Sequence, residues 1–332
     1  MILRSLLKGS SLLLLAALTS VEAMAQEAPD YNQDQYDAYN KAVNEPDLSV
    51  REKAILDFAE ANPGLSLVKY AVANYVQLMQ EYQKQGKPAR VFGAGQKLLE
   101  IRPDNTNAQY MTAVSAFQVQ KFSDAAKYGE QVYPTNSTAG LAYVLALTYQ
   151  KLNNQSKFIH YGEKACAELE PKDCFQISSG LRGAFAAKEQ WSRAAKYSRS
   201  TIDGLDAIQK PSGSSEREWR DYVSREKGLS YAVLGRAAVE KENWSGAVSN
   251  YQTAIKMYRE PKLRAEAYYY IGLGRWKQNR LEPAMEAFAK GSLQRNAPHA
   301  DPCRKYLETL YRSTHNGSTA GLDEFLRRVG RK

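Results

Sequence analysis

From Tyr36 onward, apolar and small residues recur at three- and four-residue spacings, the period of one face of an α-helix. The stretches come in twos. Tyr75, Leu78 and Tyr82 are followed after a break by Val91 and Leu98. Ala113 and Ala116 are followed by Phe122, Ala125 and Val132, and Leu145, Ala146 and Tyr149 by Phe158 and Ala165. Pro63, Pro103, Pro134 and Pro171 punctuate the series, where each predicts the end of the second helix of a pair and the start of a turn. The pattern therefore predicts antiparallel helix pairs along nearly the whole chain.

The pairs repeat. Tyr231-x-x-Leu234-Gly235-x-x-Ala238, followed by Trp244, Ala247, Tyr251 and Ala254, has a counterpart in Tyr268-x-x-Ile271-Gly272, followed by Leu281, Ala284 and Phe288, 37 residues later. Equivalent second-helix positions run Ala54, Val91, Ala125, Phe158, Ala194, Ala247 and Ala284, with steps of 37, 34, 33, 36, 53 and 37. Small residues (Gly235, Gly272, Ala113, Ala146) let two helices approach closely, and large ones (Tyr231, Tyr251, Phe288) fill the space beside the contact. One pair cannot bury its apolar stripe alone, so neighbouring pairs must stack.

These residues resemble the tetratricopeptide repeat family, in the form of an exported bacterial-type protein. The resemblance covers seven units: Trp191, Ala194 and Tyr197 mark the fifth second helix, and Tyr36 to Phe58 is a degenerate first unit. It implies an all-α, right-handed α-solenoid of about seven antiparallel helix pairs with C-terminal capping helices.

The 53-residue step contains Gln209-Lys210-Pro211-Ser212-Gly213-Ser214-Ser215, a strong loop signal, and Ser215-x-x-Glu218 then reads as a capping box opening a long helix over about 216–241. The expected organisation is a leader at 1–25, units one to five at 26–208, a joint at 209–215, units six and seven at 216–298, and capping helices at 299–332. In the last segment Tyr306, Leu310 and Tyr311 form one amphipathic set, and Leu322, Phe325, Leu326 and Val329 a second.

The first 25 residues read as a signal peptide: Arg4 and Lys8, an apolar run over 11–18, then Ala23-Met24-Ala25 before a cleavage predicted after Ala25. An uncleaved anchor is the alternative. No other segment is long and apolar enough to span a bilayer. The expected location is periplasmic or secreted. Residues 26–170 hold 14 Lys and Arg against 17 Asp and Glu, whereas residues 171–332 hold 29 against 18. The basic second half suits acidic partners or anionic envelope surfaces, or is simply a solvated face. Export permits a disulfide between Cys166 and Cys174, with buried thiols as the alternative; Cys303 is the odd one out.

Chemistry-bearing motifs are absent. There is no Gly-x-x-x-x-Gly-Lys-Ser/Thr, no Gly-x-Ser-x-Gly and no His-Glu-x-x-His, and Gly93-x-Gly95 sits inside a helical pattern. His299, Asp301 and Cys303 lack an established ligand spacing, so no metal and no cofactor are expected. The expectation is a non-enzymatic scaffold with protein or peptide partners and no nucleic acid. The resemblance implies that first helices line the binding surface, which points to Gln77, Gln80, Tyr110, Phe117, Tyr143, Arg236, Tyr269, Tyr270 and Trp276; each of these can equally serve as core between repeats. Val76, Gln80, Tyr110 and Val114 stand where one subgroup of the family carries a Lys and Asn clamp for C-terminal carboxylates, so that clamp is absent. The alternative function is binding of anionic glycans or lipid headgroups through the basic second half.

Overall fold

The structure, a computed structural model, describes residues 29–331; the leader and its cleavage site lie outside the described residues. Among the described residues there are sixteen α-helices and no strand. The described residues divide into two compact units, with the boundary between Glu168 and Leu169. The fold is the all-α solenoid of stacked helix pairs that the pattern predicts.

The first unit holds four pairs: α1 (Gln33–Val43) with α2 (Leu48–Ala61), α3 (Leu67–Lys84) with α4 (Pro88–Ile101), α5 (Thr106–Gln118) with α6 (Phe122–Val132), and α7 (Ala139–Lys151) with α8 (Gln155–Glu168). Each helix packs on the next, and first helices also meet first helices, α1 on α3, α3 on α5 and α5 on α7. Its core centres on Tyr75, Leu78, Met79, Val91 and Leu98, all buried. The second unit holds three pairs: α9 (Pro171–Ala186) with α10 (Trp191–Ala207), α11 (Glu216–Glu240) with α12 (Trp244–Met257), and α13 (Pro261–Lys277) with α14 (Leu281–Ser292). α15 (Ala300–Thr314) and α16 (Leu322–Gly330) close it, and Leu322, Phe325, Leu326 and Val329 of α16 bury against Met285, Leu310 and Tyr311. The segment 209–215 lies within this unit and does not divide it, because α10 and α11 pack on each other across it.

Local chemistry fixes the helix starts. The Ser215 hydroxyl accepts the Glu218 N–H at 3.2 Å and Glu218 accepts the Ser215 N–H at 3.1 Å, the capping box read from the sequence. Asn32, Asp47, Asn105, Thr138 and Asn243 cap other helices through their side chains. Pro88, Pro171 and Pro261 stand at first helical positions, where a missing N–H costs nothing. Pro171 thus opens α9 rather than closing α8.

One turn design recurs within the pairs. Gly86, Gln120, Asn153, Glu189, Glu242 and Asn279 each adopt a left-handed conformation, with φ between 53° and 68°. The residue after each donates its N–H to the carbonyl five positions back, Lys87 to Tyr82, Lys121 to Ala116, Asn154 to Tyr149, Gln190 to Phe185, Asn243 to Ala238 and Arg280 to Arg275, at 2.8–3.0 Å. This Schellman closure satisfies carbonyls left open at the helix end and sets the angle at which the second helix departs. The left-handed residue stands five before Val91, Ala125, Phe158, Ala194, Ala247 and Ala284 in turn, so turn and packing position keep one register through the long step.

Contacts inside a pair are close. A Cβ on Gly272 would lie 2.6 Å from ring carbons of Phe288, and one on Gly235 would lie 2.6 Å from the ring of Tyr251. Both rings are fully buried. Between pairs, α9 and α11 share a buried ion pair: the Arg182 guanidinium donates to the Glu226 carboxylate at 2.9 Å, to the Glu226 carbonyl at 3.0 Å and to the Ser230 hydroxyl at 2.8 Å. The Ser179 hydroxyl donates to the same carboxylate at 2.6 Å.

Thermal melting checks the two backbone arguments in opposite directions. Gly272→Ala forces a methyl into the Phe288 ring and should cost about 1–3 kcal/mol. Glu242→Gly removes a side chain from the left-handed turn and should stabilise by about 0.5 kcal/mol, the relief of strain exceeding the added freedom of the unfolded chain.

Candidate functional site

The residues predicted for a binding surface fall on both units, and the units treat them differently. In the first unit, Gln77 and Gln80 are exposed on α3, Tyr110 is half-buried against the core, and Phe117 meets Phe122 edge-on at 5.8 Å across the α5–α6 turn. Tyr143 is a correction: it is 1% exposed and lines no surface. Its helix, α7, is buried without a break from Leu141 to Ala146, because α5, α6 and α8 all pack on it. These side chains do not gather into a site.

In the second unit they do. α13 carries three consecutive tyrosines, and the helical period sends them to different neighbours. Tyr270 stacks on Tyr251 of α12, with centroids 5.1 Å apart and planes 12° apart. Tyr269 points toward α15, with Tyr306 at 5.8 Å and His299 at 5.3 Å. Tyr306 also receives Trp276 edge-on at 5.7 Å and stacks on Phe288 at 5.4 Å. Arg236 of α11 extends the band at its other end: its guanidinium lies over the rings of Trp191 and Tyr270, 4.8 Å from each centroid. The exposed side of α11, α13 and α15 thus presents a half-buried band of rings from Trp191 through Arg236, Tyr270 and Tyr269 to Tyr306 and Trp276.

All four residues predicted in this unit, Arg236, Tyr269, Tyr270 and Trp276, belong to the band. Trp191, Tyr306 and His299 were not predicted there. Trp191 carries the signature of a second helix, yet it is the first residue of α10 and projects at the turn. Tyr306 matches the apolar stripe of a capping helix. His299 precedes α15 and faces rings, not metal ligands.

Burial governs the ionisable groups. Desolvation comes first in raising Tyr269, up to about 12, with the Tyr306 hydroxyl adding to it. Desolvation also outweighs the Arg236 charge at Tyr270, leaving that phenol raised. Tyr251 stands well above the ordinary phenol value, first through burial and then through the Glu266 carboxylate. Its hydroxyl is buried and has no hydrogen-bond partner among the described residues. Cys166 and Cys174 are each held in a disulfide; Cys303 is a free, buried thiol that burial pushes up to about 12.

Two cavities lie elsewhere in the unit. One of about 360 Å³, between α12, α13 and α14, is lined by Lys256, Tyr268, Arg275, Glu286 and Lys290 among others. The other, about 1060 Å³, is enclosed by α14, α15 and α16, with Met285, Tyr311 and Phe325 beside Arg327, Arg328 and Arg331. Among the described residues, no helix is long and apolar enough to cross a membrane.

The fold is that of a helical-repeat protein. Residues 233–301, which span the band's central helices, match the tetratricopeptide repeat family. No curated protein matches the chain. Among solved structures, the chain is similar to YrrB, a tetratricopeptide protein with an unusual peptide-binding site, at 17% identity over 64% of this chain and 98% of that one, with a TM-score of 0.42. A tetratricopeptide repeat protein from Parabacteroides merdae aligns over 84% of this chain and 99% of its own at 14% identity and a TM-score of 0.38. NprR in complex with its cognate peptide NprX aligns over 86% and 84% at 14% identity and a TM-score of 0.35.

The Tyr251 hydroxyl supplies a test of packing behind the band. Removing a hydrogen-bonded buried hydroxyl ordinarily costs about 1 kcal/mol. Tyr251→Phe removes an unpaired one and should leave stability unchanged or raise it by up to about 1 kcal/mol, read from denaturant unfolding, while the Tyr270 stack is retained.

Proposed function

We propose that the protein is an exported, non-enzymatic scaffold whose second unit holds a peptide segment of a partner protein along α11, α13 and α15. The observation that carries this reading is the ring band. Packing alone explains Tyr251 and Phe288, which are fully buried; it does not explain why Trp191, Tyr269, Tyr270, Trp276 and Tyr306 stay half-exposed side by side. Rigid rings give large contact area with little entropy lost on binding, the usual composition of an interaction hot spot. The leader at 1–25 supports export, and the partner would then be a protein of the cell envelope or its exterior.

A second reading rests on the larger cavity. Arg327, Arg328 and Arg331 beside Met285 and Phe325 suit an anionic glycan or a lipid headgroup, with Glu282 and Glu324 in the same lining opposing it. Site-specific crosslinking separates the two. A photoreactive residue placed at Tyr269 or Trp276 in the producing cells should capture a protein partner, one at Arg328 should not, and one at the exposed Lys256 of α12 should not. With that partner in hand, Tyr269→Ala and Trp276→Ala should each weaken binding by about tenfold or more. Capture at Arg328 alone, with anionic polymer or lipid, would favour the second reading.

A further inference from the structure

The Arg236 guanidinium lies 4.8 Å from the ring centroid of Trp191 and 4.8 Å from that of Tyr270. These rings come from different elements, the start of α10 and the middle of α13, while Arg236 itself rises from α11. The group is therefore held by three successive repeats. A guanidinium carries five N–H donors, and all of them lie in its plane. Contact with two rings restrains the group, and the donors in its plane are its bonding surface. No carboxylate of the described residues pairs with Arg236. The acidic groups felt at this point are Glu189 and Glu266, which act on Tyr270 through the field, and neither forms an ion pair with the arginine. The Tyr270 hydroxyl meets the guanidinium, whose charge and hydrogen bond both favour the ionised phenol.

The contrast with Arg182 is informative. On the same series of first helices, Arg182 spends its donors on Glu226, Ser179 and Ser230, and it is buried. Arg236 is half-exposed, and beyond the Tyr270 hydroxyl no group of the described residues engages its donors. A structural arginine is tied by its donors; this one is held beside two rings, and most of its donors stay available. A two-pronged acceptor, a carboxylate, matches such a fork with two parallel hydrogen bonds.

We propose that Arg236 is the specificity determinant of the ring band, and that it receives the side-chain carboxylate of an Asp or Glu in the bound peptide. This rests on the peptide-binding reading of the band and deepens it. Tyr270 meets the arginine and Tyr269 adjoins Tyr270, with ring centroids 5.1 Å apart, so the neighbouring peptide residue that settles against Tyr269, Tyr306 and Trp276 is apolar or aromatic. The occupant is thus an acidic segment with an apolar anchor beside the acid. Charge agrees: residues 171–332 carry 29 Lys and Arg against 18 Asp and Glu, a field that draws acidic segments toward this unit.

The experiment uses the chain without its first 25 residues. Displayed random twelve-residue peptides are selected on it, and the binders are synthesised as matched sets: parent, each Asp→Asn or Glu→Gln form, and a form with an amidated C-terminus. Affinity is measured by fluorescence polarisation. One acidic position should dominate, its amide form should bind about ten- to a hundredfold more weakly, and C-terminal amidation should change little. Arg236→Gln should abolish the difference between acid and amide. Arg236→Lys keeps the charge but loses the planar fork, and Trp191→Leu keeps the arginine but removes one of the two rings beside it; each should recover only part of it. Binders indifferent to acid-to-amide exchange, or dependent on the C-terminal carboxylate, would overturn the Arg236 proposal while leaving the groove reading intact. Binders unaffected by Tyr269→Ala and Trp276→Ala would overturn both. The peptide-side exchange needs no protein variant, so it decides the matter even where a substitution disturbs folding.

Discussion

Everything in this molecule depends on how closely the two helices of a pair can approach, and on what fills the space beside them. At Gly235 and Gly272 there is no room for even a methyl group, because the rings of Tyr251 and Phe288 lie against the backbone. In these two pairs that approach turns the second helix into a wedge whose aromatic residue, Tyr251 or Phe288, is wholly enclosed. A lone pair still has an open apolar flank, and only the next pair covers it. The recurring left-handed turn serves the same constraint, since it delivers the second helix at one angle from Gly86 to Asn279. Five of the six turns place a residue with a side chain in that conformation, a cost of about 1 kcal/mol each that the stacking must exceed.

The second unit shows what this arrangement leaves free. Second helices are consumed by the core, while first helices keep one side uncovered. On α9 and α11 part of that side is closed by Arg182 and Glu226. A buried ion pair of this kind adds little net stability over an apolar contact, but breaking it is costly, so it favours one register between the pairs. Beyond it, on α11, α13 and α15, rings and one clamped guanidinium remain at the surface. The chemistry of this face is suited to holding a segment of chain, with shape and charge doing the selecting.

Much of this was legible in the sequence because it is local. The spacing of Ala54, Val91, Ala125, Phe158, Ala194, Ala247 and Ala284 gave the seven pairs, and Ser215 with Glu218 gave the start of α11 within the long step. Arg236, Tyr269, Tyr270 and Trp276 were reached through the family resemblance, which places first helices on the binding surface, and their sequence alone left a role as core between repeats equally open. What was not legible depends on neighbours distant in sequence. Tyr143 has the same type and period as Tyr269, and only the packing of α5, α6 and α8 around α7 buries it. Trp191 reads as a repeat signature, and only the arrival of Arg236, 45 residues later, makes it half of a clamp. The 209–215 loop has the composition of a joint, yet the helices on either side pack together and the division into units falls at Glu168 instead.

Amide hydrogen exchange on the chain, free and saturated with a selected peptide, tests the central claim most directly. Bound peptide should slow exchange along α11, α13 and α15 and leave α12 and α14 unchanged, because neither α12 nor α14 carries an exposed residue of the ring band. Slowing centred on the second helices, or spread evenly over the unit, would contradict it.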